Sequence, residues 1–171
     1  MIDYNKFLEK TKQSMISKYR VSVHTQLPDG SIADLTASRT YFSLKGFVTI
    51  SQHLLIARIE NAQIDDMRQL LETGYKFGKQ ITRVPFYLRF QLSYMIIPVI
   101  ATSNPDKDLL EYAIAQPNVS LTTPLGILEY PVVLDLESGE THYRRKRSFV
   151  GAFFFSDMRN VVSRYIEVAE A

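Results

Sequence analysis

The stretch AQIDDMRQLLETGYKFGKQITR, residues 62–83, carries the clearest periodic pattern of the chain. Apolar side chains recur in it every three or four residues, the spacing that places them on one face of an α-helix. The apolar face consists of Ile64, Met67, Leu70, Leu71, Phe77 and Ile81. Gly74 and Gly78 fall on or beside this face, and glycine weakens a helix unless it permits close backbone packing. We therefore predict that the helix packs its glycine side against a β-sheet.

The sequence before this helix predicts strands. Val21 and Val23 alternate with polar residues and precede the turn signal Pro28-Asp29-Gly30. This pattern is typical of a β-hairpin, with arms near 20–27 and 31–37. Residues 40–60 then predict one or two further strands, bent near Gly46.

The sequence after the helix predicts a buried strand over 93–102, in which Pro98 marks an irregularity or a strand edge. Asn104-Pro105 is a favourable helix start, with asparagine as the cap, and predicts a helix to Gln116. A short strand is expected near 118–122, and a second hairpin joins 127–136 to 141–148.

The two ends of the chain predict helices. Residues 3–18 show an amphipathic pattern, and a last helix is expected to begin at Ser156 or Asp157. Residues 150–155 would extend the sheet. The whole chain, residues 1–171, is thus expected to form one domain of the mixed α/β class, a central mixed β-sheet flanked by helices.

Composition excludes several classes of protein. Of the 171 residues 46% are hydrophobic and 22% charged, the balance of a globular domain rather than a disordered chain. The sequence has no cysteine, which excludes a disulfide scaffold, a thiolate zinc site and a cysteine nucleophile. The longest apolar stretch, Leu92–Ala101, is about half of what a membrane span requires. The start of the chain lacks an apolar export segment, so we expect a cytoplasmic location and no membrane partner.

The basic run Arg144, Arg145, Lys146 and Arg147 is the strongest local charge feature, in a chain whose net charge is only +2. In the predicted second hairpin, a two-residue loop at Ser138-Gly139 would pair Asp135 with His142. The run would then lie on an edge strand, where cations discourage pairing with other chains. The alternative is a site that binds the phosphates of a nucleic acid, a partner that the small net charge does not favour.

Familiar catalytic motifs do not occur in the sequence. It contains no Gly-x-Gly-x-x-Gly, no phosphate-binding loop and no Gly-x-Ser-x-Gly. His24, His53 and His142 do not have the spacing of a helical metal-binding pair. No metal site is predicted from the residues themselves.

The order helix, hairpin, strand, long helix, buried strand, helix and strand over about residues 4–122 resembles the core of the restriction-endonuclease-like (PD-(D/E)xK) nucleases. The resemblance implies an acidic residue on the second strand and a (D/E)-x-K motif on the third, which bind a divalent metal such as magnesium and activate water. By position Asp34 matches the strand acid and Glu9 a first-helix acid. The third-strand motif is missing, because no acid-x-lysine occurs in the chain. Glu60 closes the third-strand region, and Lys76 or Lys79 could supply a displaced lysine.

These observations lead to one main hypothesis and two alternatives. The main hypothesis is a non-catalytic domain without cofactor that acts by binding or self-association, for example as a homodimer. The first alternative is a nuclease-like, magnesium-dependent enzyme with a displaced active-site lysine. The second is a small-molecule sensor that uses the aromatic-rich segment 84–95.

Overall fold

The structure, a computed structural model, describes residues 1–44, 47–85, 91–115, 119–120, 126–145 and 152–167. In these ranges four helices and eight strands occur. The helices are α1 (Tyr4–Met15), α2 (Ile64–Ile81), α3 (Lys107–Ala115) and α4 (Ala152–Tyr165). The strands are β1 (Arg20–Gln26), β2 (Ile32–Ser43), β3 (Val48–Arg58), β4 (Leu92–Thr102), β5 (Val119–Ser120), β6 (Ile127–Glu129), β7 (Val132–Asp135) and β8 (Thr141–His142).

All of these strands belong to one mixed sheet. β1, β2 and β3 form an antiparallel meander, and β4 lies parallel to β3. On its other side, β4 pairs in parallel with β6 and, further along, with β7. β6 also pairs antiparallel with β5, and β7 pairs antiparallel with β8. The predicted fold class, a mixed α/β fold with a central mixed sheet flanked by helices, is confirmed.

Pro98 marks the point at which β4 changes partner. β6 pairs with Tyr94–Ile96 and β7 with Val99–Thr102, so Pro98 lies in the interval between the two pairings. Proline lacks the N–H that a ladder on both sides would require. The predicted irregularity is therefore present, but in an interior strand rather than at an edge.

The helices cover both faces of the sheet. α1 and α4 pack in one hydrophobic cluster with Leu54 and Ile56 of β3, whereas α2 and α3 pack in another with Leu55 and Ala57. Alternate residues of a strand point to opposite faces, so β3 is covered on both sides. This double burial also encloses its polar residues Ser51, Gln52 and His53, which are at most 1% exposed.

The glycines of α2 contact the sheet as predicted. A methyl group added at Gly74 would lie 2.9 Å from Cδ1 of Leu55, and one at Gly78 only 2.7 Å from Cδ2 of His53. Both distances are shorter than a normal contact, so the backbone of α2 itself packs on β3.

The β1–β2 turn is joined to α2 through Asp29. Its Oδ1 accepts hydrogen bonds from the backbone and the hydroxyl of Ser31, which shape the turn. Its Oδ2 accepts from Gln69 and Thr73 of α2, both at 3.0 Å. The side chain that closes the turn therefore also binds a helix about forty residues later in the chain.

The register predicted for the second hairpin is wrong. Leu134 pairs with Thr141 and Val133 with His142, two residues away from the expected alignment. Asp135 causes this shift, because its carboxylate accepts hydrogen bonds from the backbone N–H groups of residues 137 and 138 and so stabilises a longer turn. The expected cross-strand pairing of Asp135 with His142 does not form, and Nε2 of His142 lies 3.7 Å from Oε2 of Glu140.

Other boundaries also differ from the prediction. α3 begins at Lys107 rather than at Asn104-Pro105. α4 already begins at Ala152, so the strand expected over 150–155 is wrong from residue 152 onward. The cause is the apolar stripe of α4, buried at Phe155 and Met158, which extends the helical period toward the start of the helix. The bend expected at Gly46 lies outside the described residues, between the end of β2 and the start of β3.

Candidate functional site

Asp34 and Glu60, two of the predicted acidic residues, belong to one cluster. Oδ2 of Asp34 accepts hydrogen bonds from the Tyr4 hydroxyl at 2.7 Å and from the backbone N–H of Arg58 at 2.8 Å. The guanidinium of Arg58 lies 5.6 Å from the ring centre of Tyr4 and pairs with Glu60, Nη2 to Oε1, at 2.7 Å. Burial and the Asp34 carboxylate raise the pKa of Tyr4 well above its usual value, so its hydroxyl stays a donor. Arg58 thus joins the two acids.

The other nuclease candidates lie elsewhere. Glu9 is exposed on α1 and pairs with Lys12 at 3.4 Å. Lys76 pairs with Glu72 at 2.7 Å, and Nζ of Lys79 lies 5.4 Å from the ring centre of Tyr75. Both lysines belong to the part of α2 that lies near His53, as the contact of Gly78 shows.

The distance along β3 separates these lysines from the acids. Arg58 is five residues beyond His53, which corresponds to about 16 Å at the rise of a β-strand. The structure therefore does not bring Lys76 or Lys79 to Asp34.

These residues do not fit a magnesium ion. Magnesium requires oxygen ligands in octahedral geometry, but Oδ2 of Asp34 already accepts two hydrogen bonds and Oε1 of Glu60 is paired with a guanidinium. The β3 residue that pairs with Leu35, next to Asp34, is Ile56, a fully buried hydrocarbon. Within the described ranges no three His, Asp or Glu side chains lie close enough together to hold a metal.

His53 belongs to a buried network of hydroxyl groups on the α2 face. Its Nδ1 lies 2.9 Å from the Ser38 hydroxyl and its Nε2 lies 2.8 Å from the Ser51 hydroxyl, which contacts Thr82 Oγ1 at 2.6 Å. Burial lowers the pKa of His53 to about 4, so the ring is neutral near pH 7. A serine beside an imidazole can act as a nucleophile, but Ser51 is fully buried and already bound to Thr82. The network therefore satisfies buried polar atoms rather than forming a reaction centre.

Gln52 belongs to a second polar cluster, on the face covered by α1 and α4. Its Oε1 accepts hydrogen bonds from the Tyr19 hydroxyl at 2.9 Å and from Nε of Arg39 at 2.7 Å. The guanidinium carbon of Arg39 lies 4.7 Å from the ring centre of Tyr19 and 4.6 Å from that of Tyr41. The Tyr41 hydroxyl in turn donates to Asp157 of α4 at 3.2 Å. This aromatic arginine cluster was not predicted from the sequence.

The only sequence signal for the two polar clusters is the run Ser51-Gln52-His53 inside an otherwise apolar segment. Three adjacent polar residues within a buried strand indicate buried hydrogen bonds. Their partners could not be inferred, because Arg39 and Ser38 come next to them only through the β2–β3 register.

Two residues of the basic run, Arg144 and Arg145, form contacts within the fold. Nη2 of Arg145 pairs with Oε1 of Glu167 at 2.8 Å, and its guanidinium carbon lies 5.3 Å from the ring centre of Tyr143. Nη1 of Arg144 donates to the carbonyl of Ala115 at 3.1 Å. Lys146 and Arg147 lie outside the described residues, as do residues 86–90 of the aromatic segment proposed for a sensor. The two described arginines thus have intramolecular partners, but β8 ends at His142, so they lie beyond the strand and not on the predicted edge strand.

Comparisons with protein-family models, with curated proteins and with solved structures find no match. None of the helices that the structure describes is long and apolar enough to cross a membrane. The fold defines a mixed α/β domain, and the geometry of its polar clusters is the basis for a functional interpretation.

Proposed function

We propose that this protein is a non-catalytic binding domain built on a core of the restriction-endonuclease-like type. The family likeness is supported by the order α1-β1-β2-β3-α2-β4, with an antiparallel meander followed by a parallel strand. A cytoplasmic location is part of the proposal and follows from the expectation drawn from the sequence.

The observation that carries the proposal is the position of Arg58. A nuclease of this type needs its strand acids free to bind a metal ion. Here the guanidinium of Arg58 is paired with Glu60, and its backbone N–H binds Asp34. A positive charge therefore lies in the cluster that a metal ion would otherwise share, and this arrangement favours a structural role of the two acids over hydrolysis.

A cleavage assay tests this proposal. The purified protein is incubated with single- and double-stranded DNA and RNA in the presence of Mg²⁺ or Mn²⁺, beside Asp34→Ala and the control Asp65→Ala. Asp65 is an exposed acid that pairs with Arg68 on the surface of α2. We expect no metal-dependent cleavage by any of the three. Cleavage that Asp34→Ala abolishes and Asp65→Ala retains would overturn the proposal in favour of the nuclease-like enzyme.

Self-association into a homodimer is the second candidate function, and the β2–β3 turn favours it. Three large apolar side chains are exposed at the end of β2 and in this turn: Phe42 by 49%, Leu44 by 75% and Phe47 by 74%. Phe47 also has a φ of +49°, a conformation that costs energy in a bulky residue. Exposed apolar groups of this kind often mark contacts between proteins, and a second copy would present the same three side chains to a two-fold contact.

Sedimentation over a range of concentrations tests the homodimer. We expect a concentration-dependent dimer that the double change Leu44→Ser and Phe47→Ser converts to monomer. The control is Ile114→Ser, at a position that is 51% exposed on α3. A monomer at all concentrations, or a dimer that survives the double change, would contradict self-association through this turn.

A further inference from the structure

The guanidinium of Arg39 is held in a fixed orientation on the face covered by α1 and α4. One hydrogen bond, from Nε to Gln52, fixes its edge, and the rings of Tyr19 and Tyr41 contact it at 4.7 Å and 4.6 Å. Cation–π contacts of this length are attractive. The hydrogen bond to Gln52 uses Nε, and a terminal nitrogen also binds the Tyr41 hydroxyl, which leaves the remaining terminal N–H groups as donors in the guanidinium plane.

Gln52 supports this orientation from a buried position in the core that an apolar side chain could otherwise fill. Its side chain is fully buried between Ile50 and Leu54, its neighbours on the same face of β3, where burial of an amide is unfavourable unless its atoms are hydrogen-bonded. Its oxygen accepts both from Arg39 and from the Tyr19 hydroxyl, and its nitrogen contacts Sδ of Met95 at 3.8 Å. The buried amide therefore directs its carbonyl group at the arginine.

The charge of Arg39 is not neutralised by an ion pair with any carboxylate of the described residues. Arg58, which also contacts a tyrosine ring, differs in this respect because it pairs with Glu60 at 2.7 Å. Asp157 binds the Arg39 cluster through the Tyr41 hydroxyl, which donates to it at 3.2 Å, and its charge also acts on Tyr19. Arg39 is thus a partly buried, oriented cation that forms no ion pair among the described residues.

We propose that Arg39 binds the carboxylate of a ligand at this cluster, which rests on the proposed function as a binding domain. The planar fork of a guanidinium matches the two oxygens of a carboxylate. Asp157 disfavours a doubly charged phosphate through like-charge repulsion, so a singly charged group fits better. The Tyr41 ring supplies an aromatic surface for the adjoining part of the ligand.

The carboxylate could belong to a small aromatic acid or to the C-terminus of a peptide. Benzoate serves as the probe for the first source, and a short apolar peptide with a free C-terminus for the second. The same peptide with an amidated C-terminus is the control, and phenyl phosphate tests the charge preference. Binding is followed on the ¹⁵N-labelled 171-residue protein through the Nε–Hε resonance of Arg39.

We expect a saturable shift of this resonance with benzoate or with the free peptide, and none with the amidated peptide. The tighter of the two binders identifies the source. Arg39→Lys keeps the charge but loses the planar fork, so its affinity should fall about tenfold. Arg68→Gln, at an exposed arginine paired with Asp65, is the matched control and should bind like the wild type.

Gln52→Glu separates a positioning role from a structural one. The substituted carboxylate would pair with Arg39 and neutralise it without removal of the arginine, so ligand affinity should fall at least about tenfold while the fold is retained. Thermal unfolding checks the fold of each variant.

The proposal would be overturned by an Arg39 resonance that none of the carboxylates shifts, by unchanged affinity in Arg39→Lys, or by tighter binding of phenyl phosphate than of benzoate. Such a failure leaves the non-catalytic proposal intact, because only the cleavage assay on Asp34→Ala tests that.

Discussion

Gln52 and His53 are neighbours in β3, and both are buried, yet they face opposite sides of the sheet with different partners. His53 contacts neutral hydroxyl groups and the backbone of α2, and burial keeps its ring uncharged. Gln52 faces a charged guanidinium that is itself only partly buried. A buried polar side chain with neutral partners completes the packing of a closed face. Gln52 instead orients a charge that has no ion pair among the described residues, which is the basis of the proposed ligand site.

The largest expected effect that separates the two faces is a pH dependence of the protein's stability caused by His53. Its pKa is lowered from 6.5 to about 4 in the folded protein, so the unfolded chain takes up a proton at a higher pH than the folded one. Stability is therefore unaffected above about pH 6.5 and falls between about pH 6.5 and 4, by about 3 kcal/mol in total. Urea unfolding at a series of pH values measures this loss.

The control for this prediction is His53→Gln, which keeps a hydrogen-bonding side chain that does not titrate. The variant should lack the decline between pH 6.5 and 4. The Asp29 carboxyl, whose pKa is lowered by hydrogen bonds, chiefly from the Ser31 hydroxyl, contributes only at more acidic pH. Parallel stability profiles for wild type and variant would show that His53 is not held neutral by burial.

The next largest effect on stability is expected from substitutions in the contact between α2 and His53. Gly78→Leu should destabilise the protein by about 2 kcal/mol, because its side chain would overlap a buried, hydrogen-bonded ring. Gly74→Leu is the matched variant, since the atoms nearest to Gly74 are flexible ends of Leu55 and Ile96. Denaturant unfolding of both variants measures the difference. A loss at Gly78 no larger than at Gly74 would mean that the His53 ring can move aside.

A smaller effect is expected on the Gln52 face. Gln52→Met retains the volume but removes the acceptor that serves both Arg39 and the Tyr19 hydroxyl, which should cost about 1 kcal/mol. Unfolding measurements on Gln52→Met, on Tyr19→Phe and on the double variant test whether the Tyr19 hydroxyl and the Gln52 amide are coupled. Additive losses would indicate that Tyr19 is satisfied without Gln52.

The smallest expected effect is that of the basic run. Arg144 and Arg145 have partners within the fold, so neutralising both to glutamine should leave any weak DNA or RNA binding and its salt dependence nearly unchanged. A salt titration of binding, wild type beside double variant, measures this. A tight wild-type complex whose salt dependence becomes shallower by about two phosphate contacts in the variant would indicate a phosphate site instead.

The helix α2 and its glycine contact were predictable because the helical period and the positions of the glycines coincide in one short stretch. The register of the second hairpin was not, because it depends on the hydrogen bonds of a single side chain, that of Asp135. The sides of the sheet that Gln52 and His53 face were hidden for another reason. A strand covered on both faces has no alternating pattern to show which polar residue faces which side.

The candidate site was predictable only in part. Element order predicts Asp34 as a site residue, and Glu60 follows from its place in the third-strand region. The sequence does not show that Arg58 joins these two acids. The Arg39 cluster depends on contacts between residues from four elements or connections, which no local pattern encodes.

The hydrogen bonds from Gln69 and Thr73 to Asp29 bear on how the molecule opens as well as on how it packs. A hairpin at the edge of a sheet commonly exchanges its amide hydrogens through local fraying, at a lower free energy than the core. Here the turn of the edge hairpin is attached to α2, which covers the interior strand β3. The β1–β2 hairpin and α2 should therefore open as one unit, so that their slowest amides exchange with the same opening free energy. In Asp29→Ala the hairpin and α2 should exchange with two different opening free energies.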